Sequence, residues 1–435
     1  MQAPNEDAEV IHQLLSPWQV SFTNMDEADV AIAYNQKSPV AKETIYIPSD
    51  SVNFNALIKE TKLRVVKKPR ERVSVDASSH TVLTTRPNTV YSYDGLASLE
   101  ASLLALDVVK EYRAIVSETL NAKSSIIYRL LTSSPLAYAA APKQLKSLFM
   151  RERHGPGNLL STPNDLPLDA LRFILVHAIE QLSGRKLRKK RWNGKRYVCA
   201  LTHDIDTLDG LQKARTIKRL EEKYDVPSAW YIPSKHYMLN REAVRELGNH
   251  GEIGSHDTKH DGRLAQLSWQ KRVKRLREAR YALQNIANCS VVGFRAPLLQ
   301  HSSEILDGLK KAGYKYDTSI PTWEPKHPRT MRPHGLGTIY PMFFDGLTEI
   351  PVTAVQDHQL LYVLGLKTEE VIAEWLSTMN LTKELGGCCV FLSHPEYKLF
   401  DNGHLQTYEE WLNTVRSDGQ AWLTTPKNLV NEAET

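Results

Sequence analysis

His256 and His260 stand four residues apart in the segment HDTKH. On a helical turn that spacing puts both imidazoles on one face, close enough to hold one cation. Neutral imidazole is a common ligand for zinc and its neighbours among the transition metals. Taken alone, the pair reads as readily as two ordinary core or surface histidines. The earlier segment Asp204-Ile205-Asp206 shifts that balance. Two carboxylates packed at the edge of a sheet repel and desolvate each other unless a cation or a shared proton offsets the charge. Two histidines and one carboxylate form a metal shell with a position left open for water. The other carboxylate then stays free to act as a base. On strand geometry Asp204 and Asp206 point the same way, and Ile205 turns toward packing.

Two further polar residues follow short apolar runs. Arg295 lies in Gly293-Phe-Arg-Ala-Pro297, and an arginine beside a carboxylate base keeps it ionised and oriented. His394 closes the run from Cys388, and a histidine there can give a proton to a departing amine. Other residues carry blander expectations. His203 should face away from Asp204 and serve packing or a hydrogen bond. Asp257 caps the turn or supports an imidazole. Asp357-His358 reads as a solvent loop. Trp230, Tyr231 and Trp323 read first as core or wall, with Trp323 and Pro297 carried as candidate substrate contacts.

The elements that must position these groups form two regimes. From residue 1 to about 190 the pattern is mixed: Val30–Tyr34 and Thr44–Pro48 look like strands, Ala97–Tyr112 and Leu168–Leu182 like helices. No catalytic constellation emerges in this amino-terminal α/β region. From 191 to 435 strands and helices alternate. Strands are expected at Tyr197–Leu201, Ser228–Ile232, Glu252–Ser255, Val291–Phe294, Tyr314–Ser319, Leu347–Val352, Cys388–Leu392 and Ala421–Thr424. Helices are expected between them, one opening at Ser268 with Val273, Leu276, Leu283 and Ile286 in helical period. Such alternation predicts a parallel α/β barrel or a doubly wound sheet, in which function gathers at the carboxyl ends of the strands. The polar clusters sit at those ends.

Composition bounds the rest. A chain of 435 residues predicts one large domain, 191–435, and a smaller one, 1–190. No run approaches the ~18 apolar residues that span a bilayer. Met1–Val10 carries Asn5, Glu6, Asp7 and Glu9 with no apolar core, so no secretory signal is expected. The cysteines, Cys199, Cys289, Cys388 and Cys389, form no C-x-x-C pair and read as buried small hydrophobes in a reducing, cytoplasmic setting. A net charge of +5 is too small at this length for a general nucleic-acid footprint. Arg185–Arg196 (RKLRKKRWNGKR) is locally basic, and reads as a solvated interdomain linker, or as a peripheral contact with an anionic membrane surface or a phosphate-bearing substrate.

The ordered set THDID, SHDTKH, GFRAP and LSH resembles the polysaccharide deacetylases, the family 4 carbohydrate esterases, over about Tyr197–Leu429. The resemblance implies a distorted (β/α) barrel of fewer than eight strands and an Asp-His-His site for a divalent metal. Zinc is the expected ion, with cobalt, manganese, iron or nickel as alternatives. It places Asp204 as general base, Asp206, His256 and His260 as metal ligands, Arg295 as the base-orienting arginine and His394 as general acid. Leu392 would line a pocket for an acetyl methyl group. The implied substrate is an N-acetylated carbohydrate. The chain departs from the commoner pattern in its Asp-x-Asp spacing, a variant that resembles some peptidoglycan deacetylases and the allantoinase-like cyclic amide hydrolases. Hydrolysis of a cyclic ureide and a non-catalytic glycan-binding barrel are therefore the alternatives. Asp257 stands where Ser or Thr is usual, and no clean Asp-x-x-Asp-Trp counterpart exists. Trp323 or Glu349-Ile-Pro351 is the candidate substitute.

Overall fold

The computed structural model describes residues 5–22, 31–34, 44–47, 64–66, 90–92, 108–125, 159–160 and 165–433. They fall into two compact units. One comprises 1–118, 161–190 and 336–338; the other comprises 119–160, 191–335 and 339–435.

In the first unit the elements are α1 (Asn5–Leu15), the parallel pair β1 (Ala31–Tyr34) and β2 (Thr44–Ile47), the antiparallel pair β3 (Arg64–Val66) and β4 (Val90–Ser92), α2 (Val108–Leu120, to residue 118) and α3 (Pro167–Ser183). The helix expected at Ala97–Tyr112 falls partly outside the described residues; its described end lies in α2. α1 and α3 pack together around Arg172, which is fully buried. Its guanidinium donates to the Gln13 and Leu14 carbonyls at the end of α1 and pairs with Asp169 at 3.2 Å, so the buried charge is matched by acceptors. The basic segment is exposed over most of its length. Lys186 pairs with Glu180, and Lys189 lies over the Trp18 ring.

The second unit alternates strand and helix: β5 (Tyr197–Asp204), α4 (Leu208–Lys223), β6 (Ser228–Ile232), α5 (Arg241–Gly248), β7 (Glu252–Ser255), α6 (Trp269–Ala287), β8 (Gly293–Phe294), α7 (Ser303–Ala312), β9 (Tyr316–Asp317), β10 (Met342–Phe344), β11 (Leu347–Glu349), α8 (Thr368–Leu385), β12 (Cys388–Ser393), α9 (Leu405–Ser417), β13 (Ala421–Leu423) and α10 (Pro426–Ala433). Strands β12, β5, β6, β7, β8, β9 and β11 run parallel in that spatial order. β10 is antiparallel on the edge beside β11, and β13 pairs with the start of β5. The sheet curls into a partial barrel. Its ends meet in a seam where Thr353 and Ala354 donate to the Val390 carbonyl of β12 at 3.1 and 3.0 Å. This is the expected α/β architecture.

Alternation along the strands fixes what faces inward. Val198 and Ala200 of β5, Ala229 and Tyr231 of β6, Cys388 and Val390 of β12, and Tyr316 and Ile350 form one core with Leu429 and Val430 of α10. Carrying the same period forward brings Thr202 and Asp204 to the carboxyl end of the core face, along with Leu392 and His394. Gly254 is needed here because a Cβ on it would sit 2.4 Å from the Tyr231 ring. The Tyr231 and Tyr316 hydroxyls meet at 2.8 Å, and Tyr316 donates to Glu252 at 2.6 Å.

The opposite parity explains His203. It bonds Ser393 Oγ and Glu221 Oε1, each at 2.8 Å, and stacks on Trp230, so its expected packing role holds. Glu221 also accepts from Tyr408 and Ser228, each at 2.6 Å. Trp230 and Tyr231 are fully buried, as expected of core residues. Among the cysteines, Cys289 departs from expectation. It lies past the end of α6, where the chain leaves the packed layer, and is exposed, whereas the other three are buried.

Replacing Glu221 with Ala strands three buried donors, so the expected loss is about 3 kcal/mol or more. Urea denaturation of the variant checks this, and a shift below ~1 kcal/mol would contradict the network.

Candidate active site

Each rim cluster is a direct continuation of a strand. β5 ends on Asp204, and the Ile205 amide donates to the Tyr231 carbonyl at 3.0 Å, carrying Asp206 past the sheet edge. Thr207 then caps α4 by accepting from the Gly210 amide. His256 follows β7 and donates its amide to Ile232 O at 3.0 Å, and Arg295 follows β8 and donates to Ser255 O at 2.9 Å. His394 follows β12. Residues scattered over almost 200 positions of sequence therefore meet at one end of one barrel.

Asp206, His256 and His260 each present a ligand atom, all within 4.8 Å of one another. His256 Nε2 lies 3.2 Å from Asp206 Oδ1, and His260 Nε2 lies 3.3 Å from Asp206 Oδ2. The Nδ1 of His256 is 2.8 Å from the Arg295 carbonyl, an acceptor, so Nδ1 carries the hydrogen and Nε2 keeps its lone pair toward the carboxylate. Asp206 Oδ1 is buried with no hydrogen-bond partner. An acceptor stranded between two imidazoles is what a cation would satisfy. The donor set, two imidazoles and one carboxylate, is that of an open catalytic metal shell.

The electrostatics agree. Burial disfavours the Asp206 carboxylate, but His260, His256 and His394 outweigh it and hold its pKa below the usual carboxylate range. Burial pushes His260 down to about 4, which leaves its lone pair free near neutral pH. For His256 burial acts the same way, yet Asp204 and Asp206 raise its pKa on balance.

Asp204 sits beside this group, 3.8 Å from His256 Nε2. Arg295 Nη1 reaches Asp204 Oδ1 at 3.1 Å and Thr202 Oγ1 at 2.7 Å. The rest of its guanidinium is fixed on Thr318, through the carbonyl at 2.9 Å and the hydroxyl at 3.0 Å. Arg295 is fully buried and lies over the Tyr231 ring at 4.4 Å. A cation immobilised this way orients the carboxylate as well as neutralising it.

Across the site, His394 Nε2 lies 3.9 Å from Asp206 Oδ2. Its Nδ1 is 2.7 Å from Asp357 Oδ1, and its amide donates to Asp357 Oδ2 at 2.8 Å. Burial opposes a charged imidazole, but Asp357, then Asp206 and Asp204, push its pKa up to about 10. Asp357 is fully buried, which overturns its expected place in a solvent loop. It stands eight residues beyond the end of β11, behind the mixed segment Val352-Thr-Ala-Val-Gln356, and that distance hid it.

The geometry corrects a second expectation. HDTKH is not a helical turn, because Asp257 has φ +66°, in the left-handed region, and residues 256–263 form a loop. The imidazoles converge through the loop's path instead.

Leu392 is buried and packs with Leu299 and Val352. Leu299 reaches it through a tight turn after Pro297, where Leu298 and Leu299 have φ of +58° and +49°. Two branched residues in that region cost about 1–3 kcal/mol each. Gln300, wholly buried, braces the turn by donating to Pro297 O and accepting from Ala265 N. Pro297 is buried and Trp323 is half-buried, and no hydrogen bond or ring contact joins either to the triad among the described residues.

Of several further acids, sequence reasoning singles out only Glu349. Asp317 and Glu349 lie side by side on β9 and β11, both pushed up by burial, Asp317 to about 6. Glu324 and Glu396 are each raised by burial to about 8. Glu349 belongs to the segment expected to replace the missing family motif. It accepts from the Ile320 amide at 2.9 Å.

Residues 193–316 match the family described as polysaccharide deacetylase. No curated protein sequence matches the chain. Solved structures with a similar chain course include a protein from Mycobacterium smegmatis named as a polysaccharide deacetylase, at 20% identity, covering 56% of this chain and 93% of that one with a TM-score of 0.47. Another is Puue allantoinase, at 13% identity over 55% of this chain and 91% of that one, TM-score 0.42. A third is a family 4 esterase pseudoenzyme from Bacillus anthracis, at 13% identity over 54% and 66%, TM-score 0.38.

The Asp357–His394 pair gives a pH prediction. Folding raises the His394 pKa from the ordinary 6.5 to about 10. Its contribution to stability is thus fully present below pH 6.5 and is lost as pH rises through 10. In Asp357→Asn the imidazole should titrate well below the wild-type midpoint when followed by NMR on metal-free protein. The fall in stability from pH 7 to 10 should flatten as well. An unchanged midpoint would remove Asp357 from this role.

Proposed function

We propose that this chain is a metal-dependent hydrolase that removes an N-acetyl group from an amino sugar in a polysaccharide or its precursor. One observation carries the reading: a carboxylate held by a buried arginine and an imidazolium held by a buried aspartate face each other across an Asp-His-His triad. The match of residues 193–316 to the polysaccharide deacetylase family supports the choice of reaction.

Asp206, His256 and His260 would hold the divalent cation, with zinc the expected ion from the nitrogen and oxygen donors. When bound, the cation supplies Lewis-acid polarisation of the amide carbonyl and makes a water easier to deprotonate. Asp204, kept in place by Arg295, takes a proton from the attacking water as oxygen adds to the carbonyl carbon. His394 carries a proton at Nε2 and gives it to the amide nitrogen as the C–N bond breaks. Water and amide become acetate and a free amine, and the proton from Asp204 restores His394. Leu392, packed with Leu299 and Val352, would line the pocket for the acetyl methyl. Pro297 and Trp323 are kept as substrate contacts.

The division into a catalytic portion, 191–435, and an amino-terminal portion, 1–190, belongs to the same proposal. The buried free thiols Cys199, Cys388 and Cys389 suit a reducing, cytoplasmic setting. The exposed cations of Arg185–Arg196 suit contact with an anionic membrane surface. Among the described residues no helix is long and apolar enough to cross a membrane.

Replacing Asp204 with Asn should cut turnover by about 10²–10⁴-fold while bound metal stays near stoichiometric. Metal analysis and acetate release from N-acetylhexosamine oligomers measure the two together. His256→Ala should lose the metal as well as activity. Hydrolysis of a cyclic ureide with no acetate release would transfer the site to the other amide class. Full activity in Asp204→Asn would refute the base.

A further inference from the structure

The loop between β7 and α6 has few backbone bonds of its own. The His256 amide reaches back to the Ile232 carbonyl at 3.0 Å, and inside the loop the Asp261 amide donates to the Lys259 carbonyl at 2.9 Å. The Ser234 and Lys235 amides brace the loop from the exit of β6 by donating to Asp257 O and Thr258 O. A left-handed residue at Asp257 adds strain. What gathers the loop is one guanidinium on α6.

Arg275 Nε donates to Asp257 Oδ1 at 2.8 Å, and Nη2 lies 2.7 Å from Asp257 Oδ2. Nη1 and Nη2 donate to Asp261 Oδ2 and Oδ1 at 2.9 and 2.8 Å, and Nη2 also reaches the Lys259 carbonyl at 2.9 Å. Both carboxylates are therefore gripped through both oxygens. The contact is largely dry: the Asp257 side chain is 1% exposed and that of Arg275 is 15%. Forked arginine–carboxylate pairs fix direction as well as distance. A lysine, with one point of charge, cannot fork two carboxylates at once.

The gripped residues are each the immediate successor of an imidazole, Asp257 after His256 and Asp261 after His260. Fixing those two positions fixes the separation of the two preceding backbone segments. His256 has a second anchor in the Arg295 carbonyl, at 2.8 Å from its Nδ1.

We propose that Arg275 is a positioning residue for the metal centre, presetting the spacing of His256 and His260 through Asp257 and Asp261 before a cation binds. The inference rests on reading Asp206, His256 and His260 as the metal site. It adds a support on α6, outside the rim that carries the chemistry. A guanidinium that only pins α6 to the barrel would affect unfolding, with no effect on the metal. A positioning role shows in affinity and ligand field.

The test uses the full chain stripped of metal, with Zn²⁺ affinity read by competition with a chromogenic chelator and Co²⁺ absorption reporting the ligand geometry. Circular dichroism and thermal unfolding follow the fold. Arg275→Ala should bind Zn²⁺ about 10–100-fold more weakly, with an altered Co²⁺ spectrum and native circular dichroism. Arg275→Lys and Asp261→Asn should each lose part of that affinity. Their double variant should lose less than the sum, because both break the same clamp. Should Arg275→Ala not fold, these milder variants decide. Wild-type Zn²⁺ affinity and Co²⁺ spectrum in both Arg275→Lys and Asp261→Asn, even with a lowered melting temperature, overturn the proposal. If the wild type binds neither ion, the metal reading falls and the clamp with it. A metal-binding wild type that releases no acetate counts against the substrate alone.

Discussion

Two carboxylates and two imidazoles share a small volume from which water is largely excluded, and their charges have to balance there. Asp206 lies within 3.3 Å of both His256 and His260, and Asp204 is 3.8 Å from His256. Desolvation alone would drive protons onto the carboxylates or off the imidazoles. The surroundings decide which groups keep their charge. Arg295 stands against Asp204, the histidines hold Asp206 ionised, and burial keeps His260 neutral. A divalent ion at the stranded Asp206 oxygen would complete the balance.

Much of the second unit holds that arrangement still. Arg295 is locked by Thr202 and Thr318 and lies over Tyr231, whose ring needs the missing side chain of Gly254. Asp357 grips His394 through both its ring and its backbone. The outward-facing His203–Glu221 network pins β5 to α4 and α9 from behind. Strain appears nearby, at Leu298 and Leu299, where packing against Leu392 and the brace from Gln300 hold an unfavourable backbone. Each inner group thus rests on a second one outside the Asp-His-His triad.

The neighbouring acids add a further layer. Glu324 and Glu396, at about 8, and Glu349, pushed up by burial, tend to stay protonated near neutral pH. Nearer the centre, Arg295 pairs with Asp204 and His394 with Asp357, while Asp206 is held below the usual carboxylate range. Environment rather than residue type separates the charged carboxyls from the neutral ones.

The alternation of apolar strands with amphipathic helices was legible in the chain, and so was the placing of polar clusters at strand ends. Both follow from local periodicity, which sequence carries directly. That is why Asp204, Asp206, His256, Arg295 and His394 could be picked out and found together, and why His203 could be turned away. Asp357 could not be read this way, since its meeting with His394 depends on how the chain crosses the seam between Thr353 and Val390. Nor could the loop form of HDTKH, because a spacing of four fits a helical turn until the contacts of Asp257 and Asp261 with Arg275 are known. Sequence determined which side chains reach the rim. Long-range packing alone decided which of them are paired, which stay charged and how the second imidazole is brought to the first, because those depend on distances and burial that no local pattern encodes.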